Sequence, residues 1–164
     1  MANTPGCTIA VIENAVLDAL EVLKSDRTVR LRTLGSYQGA LHDEHGKLGV
    51  PPDIQVLPAI WFVYTGSGFS NHGSRDIETF SFGLYVAAGS ARSDAESRKG
   101  GSTGPGVYAV MEAARDALLK RQLGLSIDPL LLIDQQAVLM APGVSVYSQT
   151  WETRNYHLFL VSST

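Results

Sequence analysis

The stretch 79–119 constrains this chain more than any other, because the period of its apolar residues changes from two to about three and a half within it. Phe80, Phe82, Leu84 and Val86 alternate with Ser81, Gly83, Tyr85 and Ala87. Period two is a strand with one apolar face. From Val107 the apolar residues Val107, Val110, Met111, Ala114 and Leu118 form one stripe, with Glu112, Arg115, Asp116 and Lys120 off it. That spacing predicts a helix that lies on a sheet. Between the two, residues 90–106 carry only Ala91 and Ala95 as apolar side chains of note, hold both charge signs and end in GGSTGPG. Such a segment buries too little surface to offset its ordering entropy, so by itself it is expected to be mobile. A long loop inside a compact domain is commonly functional, which points to an arm that meets a partner.

The rest of the chain fits around that unit. Ile12, Ala15, Val16, Ala19, Leu20 and Leu23 form a second helical stripe, predicting a helix over 8–24. Val29, Leu31 and Thr33 alternate with Arg30 and Arg32, which reads as an edge strand with a basic outer face. Residues 36–55, marked by Gly39, Gly46, Gly49 and Pro51-Pro52, read as a second long loop. Residues 59–64 are apolar on both parities, as in a central strand, and 66–75 read as a turn at the long tip of an antiparallel hairpin. Gly124 is placed to stop the second helix. Residues 130–133 and 137–140 read as strand pieces interrupted at Asp134-Gln135-Gln136, and Pro142-Gly143 as a turn into a long last strand.

The sum is a single α+β domain over 1–164: a two-layer sandwich with a mostly antiparallel sheet of about five strands and two helices packed on one face, and long loops at 36–55 and 89–106. The other face carries Trp61 or Phe62, Tyr85, and Tyr147 or Trp151. Cover for it must come from loops or another subunit.

The 164 residues are 45% hydrophobic and 18% charged, which is enough for one real core. A net charge of −3 argues against broad capture of nucleic acid, which needs clustered Lys and Arg. No charged-then-apolar start and no apolar run near twenty residues is visible, so neither a signal peptide nor a membrane span is expected. The single Cys7 makes no internal disulfide, in keeping with a reducing cytosol. His42-Asp43-Glu44-His45 has metal-ligand chemistry but reads better as a solvated loop, because closed sites draw spaced pairs from two elements. The glycine runs lack a phosphate loop's Lys-Ser/Thr and a dinucleotide fingerprint, and no Gly-x-Ser-x-Gly elbow occurs. The reading is therefore a non-enzyme without cofactor or metal. Arg92, Arg98 and Lys99 remain as cations of the arm available to acidic groups of a neighbour.

Several soft motifs in a fixed order complete the picture: Ile12-Glu13-Asn14-Ala15-Val16, Leu34 to Gly39, Pro58 to Val63, Val86-Ala87-Ala88 followed by Ala91-Arg92, Gly106-Val107-Tyr108, Leu123-Gly124-Leu125, and Val144 to Tyr147 before Thr150 to Arg154. Together they resemble the tail-terminator family of Mu-like phages and prophages. The resemblance implies a small α/β subunit, similar in shape to the lambda tail terminator. Such a subunit forms a homohexameric ring on the tail tube, stops its polymerisation and offers a surface to the neck of the capsid. It implies as partners other copies of the chain, the tail tube protein (with the sheath in a contractile tail) and a neck or head-completion protein, with DNA passing through the ring. It implies a place at the neck-proximal end of the virion tail, after assembly in the host cytoplasm. By position, Arg92, Arg98 and Lys99 in the arm and Tyr37, His42 and Asp43 in the other loop are the candidate contacts. Two alternatives stand beside it: another head-to-tail neck or connector protein, and a metal-dependent hydrolase or small-molecule-binding domain using the 42–45 loop.

Overall fold

A computed structural model of the chain describes residues 7–42, 46, 56–73, 75–90, 92–102 and 104–158. Helix α1 (Ile9–Leu20) opens at Thr8, whose hydroxyl accepts the Val11 N–H at 3.3 Å, and buries Ile12, Val16 and Leu20. It tightens into a 3₁₀ turn over Glu21–Lys24, so the helical stretch expected over 8–24 is one helix with a 3₁₀ end.

The strand expected at 29–33 is not there. Asp26 accepts the backbone N–H groups of Thr28 and Val29 at 2.7 and 2.9 Å, and Arg30 takes a left-handed φ of 49°. A turn with that geometry cannot continue as an extended strand. Val29 and Leu31 are nevertheless buried, and the first strand, β1, begins at Thr33 (Thr33–Ser36).

Four long strands follow: β2 (Ala59–His72), β3 (Arg75–Gly89), β4 (Leu131–Ala141) and β5 (Val144–Leu158). The sheet is mixed, with order β1-β2-β3-β5-β4, and only the β1–β2 pairing is parallel. Within 66–75, expected as a turn, residues 66–72 are strand β2 instead. Pairing of β2 with β3 runs out to His72↔Arg75, with a register shift between Tyr64 and Gly66. The hairpin is long and its tip is tight. Strand β4 is likewise continuous, with register shifts between Leu132 and Asp134 and between Ala137 and Leu139. Asp134 to Gln136 thus pair with Thr150 to Ser148, flanked by the irregularities instead of forming one.

Two further helices lie between β3 and β4: α2 (Asp94–Lys99) and α3 (Val107–Leu118). All five residues of the predicted α3 stripe are buried. The helix stops well before Gly124. Lys120 and Leu123 take left-handed φ values of 59° and 55°, and the backbone of Lys120 and Arg121 bonds to Leu130. Among the described residues, no helix is long and apolar enough to cross a membrane.

The main core joins the stripes of α1 and α3 to Ile60, Phe62, Phe80, Phe82, Leu84, Val86 and Trp151. Phe82 stacks on Phe62 and on Trp151, with ring centroids 5.0 and 6.3 Å apart. Burial of each such aromatic contributes about 2 kcal/mol. Residues of the opposite parity, Ala59, Trp61, Ala87, Val144 and Val146, form a second, smaller cluster with Leu41 and Leu57. Tyr37 and Val56 pack against it, so loop residues supply cover that the sheet needs there.

At the far end of the β2–β3 hairpin the buried Glu78 carboxylate on β3 is held from the two neighbouring strands. Ser67 donates to it from β2, and Asn155 and His157 contact it from β5 at 3.1 and 2.9 Å. Asn155 also receives the Cys7 N–H at 3.0 Å and donates to the Cys7 carbonyl at 2.7 Å, which ties the entry of α1 to the last strand. Burial pushes the Glu78 carboxyl up, but the hydrogen bonds from Ser67, His157 and Asn155 outweigh it and hold the group below its usual range.

Candidate functional site

The arm between β3 and α3 is ordered by its own polar side chains. Ser93 caps α2 by accepting the Glu96 N–H at 3.2 Å, and Ser90 donates to the Glu96 carboxylate at 3.0 Å. Ser97 is fully buried and shares a 2.7 Å hydrogen bond with Ser145 at the start of β5. Asp94 accepts the Gly143 N–H at 2.8 Å from the β4–β5 turn. The mobile segment expected from composition is instead a short helix clamped to the sheet. Its weak apolar content is offset by hydrogen bonds within the segment, from Ser90 and Ser93 to Glu96, and to the sheet, from Ser97 to Ser145 and from Gly143 to Asp94.

Behind α2 the chain passes through Gly100 and Gly106, whose backbones touch. A Cβ on Gly106 would lie 2.2 Å from the Arg98 carbonyl oxygen and from the Gly100 nitrogen. Gly100 has a φ of 86°, a conformation natural to glycine. These glycines permit a close crossing of backbone on backbone, which explains the composition of the segment without any ligand.

This crossing forms one wall of a cleft of about 480 Å³. The opposite wall is the 27–30 turn, and Arg27, Arg30 and Lys99 all line the space with no acidic residue among the lining. Asp26, on the same turn, accepts from Thr28 and Val29 and forms no ion pair with these cations among the described residues. Its bond to the Thr28 side chain, then those to the Val29 and Thr28 amides, hold that carboxyl below its ordinary value. Arg30 in turn donates through Nε to the Arg27 backbone carbonyl at 3.2 Å, which holds the Arg30 guanidinium against the turn.

The six residues singled out by position fall into separate places. Lys99 lines the basic cleft. Arg92 donates through Nη1 to Ser102 at 2.7 Å, within the arm itself. Arg98 lies in the last turn of α2, close enough to Tyr147 for its charge to act on the phenol. Tyr37 packs edge-on against Tyr85, with centroids 5.1 Å apart, accepts the Leu41 N–H at 3.1 Å and shares a hydrogen bond with His42. Burial is the main cause that raises its phenol. Tyr37 therefore packs on the smaller core cluster from the loop side, with the exposed His42 bonded to its hydroxyl. Asp43, with Glu44 and His45, lies outside the described residues. Among the described residues, no three of His, Cys, Asp and Glu come together as metal ligands.

Arg27 and Arg30 are the cleft residues missed from sequence. Their signal was the Arg27–Arg30–Arg32 spacing, read there as a break followed by the outer face of a strand. A second cavity, of about 490 Å³, lies between the α3–β4 connection and the sheet. Two acids, Asp128 and Glu152, and two bases, Lys120 and Arg154, line it in balance. The Tyr156 hydroxyl donates to Asp128 there at 2.8 Å.

A family model described as Bacteriophage Mu, Gp37 matches residues 8–156, which takes in every helix and all but the last two residues of the sheet. The chain belongs to this phage protein family. No curated protein matches it. The Gp37 match begins at the capping residue of α1 and ends in β5, so the arm and the basic cleft lie within the family's extent, as do Ser67, Glu78 and Asn155 of the carboxylate network, with His157 and Cys7 just outside it. Family membership speaks for a structural or morphogenetic phage component.

Proposed function

We propose that this member of the Gp37 family is a tail terminator. Six copies form a ring that caps the finished tail tube, stops its polymerisation and presents a surface for joining the head. The observation that carries the reading is the family match over nearly the whole chain, taken with the ordered motifs that resemble Mu-like tail terminators. The architecture is suited to such a ring. Among the described residues the sheet ends in β1, which pairs β2 as far as Phe62, and in β4, which pairs only with β5. An open edge is a template for pairing with another chain. Copies related by a rotation meet through different patches, and such contacts close into rings.

In this reading the protein acts by contact and not by catalysis. Its partners are its own copies, the tube protein below and a neck or head-completion protein above, at the neck-proximal end of the virion tail. A sheath joins them where the tail is contractile.

Tail length tests the proposal, because a cap acts on length. Negative-stain electron microscopy of phage lysates made without this protein is expected to show overlong, headless tubes. Tails of normal length that merely lack heads would make it a neck or connector protein instead. Normal virions would overturn both assignments.

A further inference from the structure

The core holds two polar atoms that the chain itself does not satisfy. Gln149 and Trp151 are fully buried, and among the described residues Gln149 Oε1 and Trp151 Nε1 are the buried side-chain atoms without a hydrogen-bond partner. One is an acceptor and the other a donor. They belong to residues two apart on β5, so both side chains leave the same face of the strand. The amide of Gln149 is fixed at its other end, where Nε2 donates to the Met111 carbonyl of α3 at 3.0 Å. A carbonyl can only accept, so Oε1 is the free end. The indole of Trp151 is held by its stack on Phe82, with the two rings 7° from parallel.

The ladder beside these residues is irregular at the same place. Trp151 pairs with Leu132 and Thr150 with Asp134, which leaves Ile133 as the extra residue of a bulge in β4. Gln149 pairs with Gln135, which is exposed. A bulge leaves its extra residue outside the pairing and disrupts the ladder locally. The two orphaned atoms therefore belong to the strand next to the edge, at the level where that edge is loosened.

We propose that a single water molecule is bound between α3 and the β4–β5 ladder, donating to Gln149 Oε1 and accepting from the Trp151 Nε1–H. The chemistry of the two atoms names the ligand. Both belong to neutral side chains, so the site takes a neutral molecule that donates and accepts at once. Both are closed off from solvent, so that molecule is small. Leaving a buried donor and a buried acceptor unmade is costly, and internal waters are found where they bridge such groups. The bulge at Ile133 is the way in from the sheet edge. This site is independent of the ring reading.

Proton NMR of the full chain in water tests it. The Trp151 indole N–H, assigned against that of Trp61, is expected to show a cross-peak to the water resonance. Its sign is expected to differ between NOESY and ROESY spectra, as a bound molecule gives and proton exchange does not. Gln149→Leu removes the acceptor and is expected to abolish that cross-peak while the Trp61 indole, on the opposite face of the sheet, keeps its position. A high-resolution crystal structure of the wild type gives a second reading that needs no variant to fold: a density peak within hydrogen-bond distance of both atoms. A wild type with neither cross-peak nor density, a direct bond from Nε1 to Oε1, or a folded Gln149→Leu that keeps the cross-peak overturns the bridging water.

Discussion

The arm and the β2–β3 hairpin both leave the body of the sheet, and they are held by opposite means. The arm folds back: its short helix is tied by Ser97 to Ser145 and by Asp94 to Gly143, and its return path depends on glycines in backbone contact. The hairpin runs outward as a ladder with one register shift, between Tyr64 and Gly66, has Phe69 69% exposed near its end and holds the buried Glu78 carboxylate. Polar residues order the first by meeting partners from elsewhere in the chain. In the second they are spread along a ladder whose backbone bonds suffice. The difference teaches that a polar segment can take a defined shape when its side chains bond to one another and to neighbouring strands.

The sharpest way to break this contrast is Gly106→Ala. The added methyl has backbone on two sides and nowhere to go, so the arm must lift. A loss of about 3 kcal/mol is expected by denaturant unfolding. Loss of hydrogen-exchange protection should appear in α2 before the sheet. Protection lost first in the hairpin would mean that the arm is not the unit that the glycine crossing holds.

Asn155→Ala works on the other region. It removes both bonds to the Cys7 backbone and one bond to Glu78, for a loss of about 2 kcal/mol. Exchange is expected to rise at the start of α1 and at the far end of the hairpin while the arm stays protected. Equal effects on arm and hairpin would merge the two regions into one cooperative unit.

Acidification gives the smallest and most selective effect. The folded carboxyl of Glu78 titrates below its ordinary value, so its contribution is fully present above the unfolded value near 4.5 and is lost as pH falls through the lower folded value. Below pH 4.5, stability should therefore decline less steeply in Glu78→Gln than in the wild type. Parallel pH profiles for the two proteins would mean that the tie contributes nothing through its charge.

Much of the fold was legible because it rests on period. The α3 stripe and the alternation of Phe80, Phe82, Leu84 and Val86 each state which side faces the core, and each is buried as expected. Readings failed where a polar side chain or a left-handed residue overrode the pattern. Val29 and Leu31 alternate as a strand would, yet Asp26 and the φ of Arg30 make a turn of them. Gly66, Gly68 and Gly73 look like a loop, yet the ladder beside them extends to His72, since pairing on one side by β3 is enough to keep β2 extended. The candidate site was legible in part. Lys99 was singled out from the arm, but its companions Arg27 and Arg30 belong to a distant turn, and no local spacing joins them.

By itself the sequence determined the alternation of strands and helices, the two apolar stripes that meet the sheet, and membership in a phage family through motifs in order. Only the tertiary structure decided that the arm carries a short helix tied to the sheet and that three cations share one cleft. The physical reason is range. Burial of a helix or strand face is written into neighbours a few residues apart, whereas the meeting of polar groups depends on contacts that exist only once the sheet has formed.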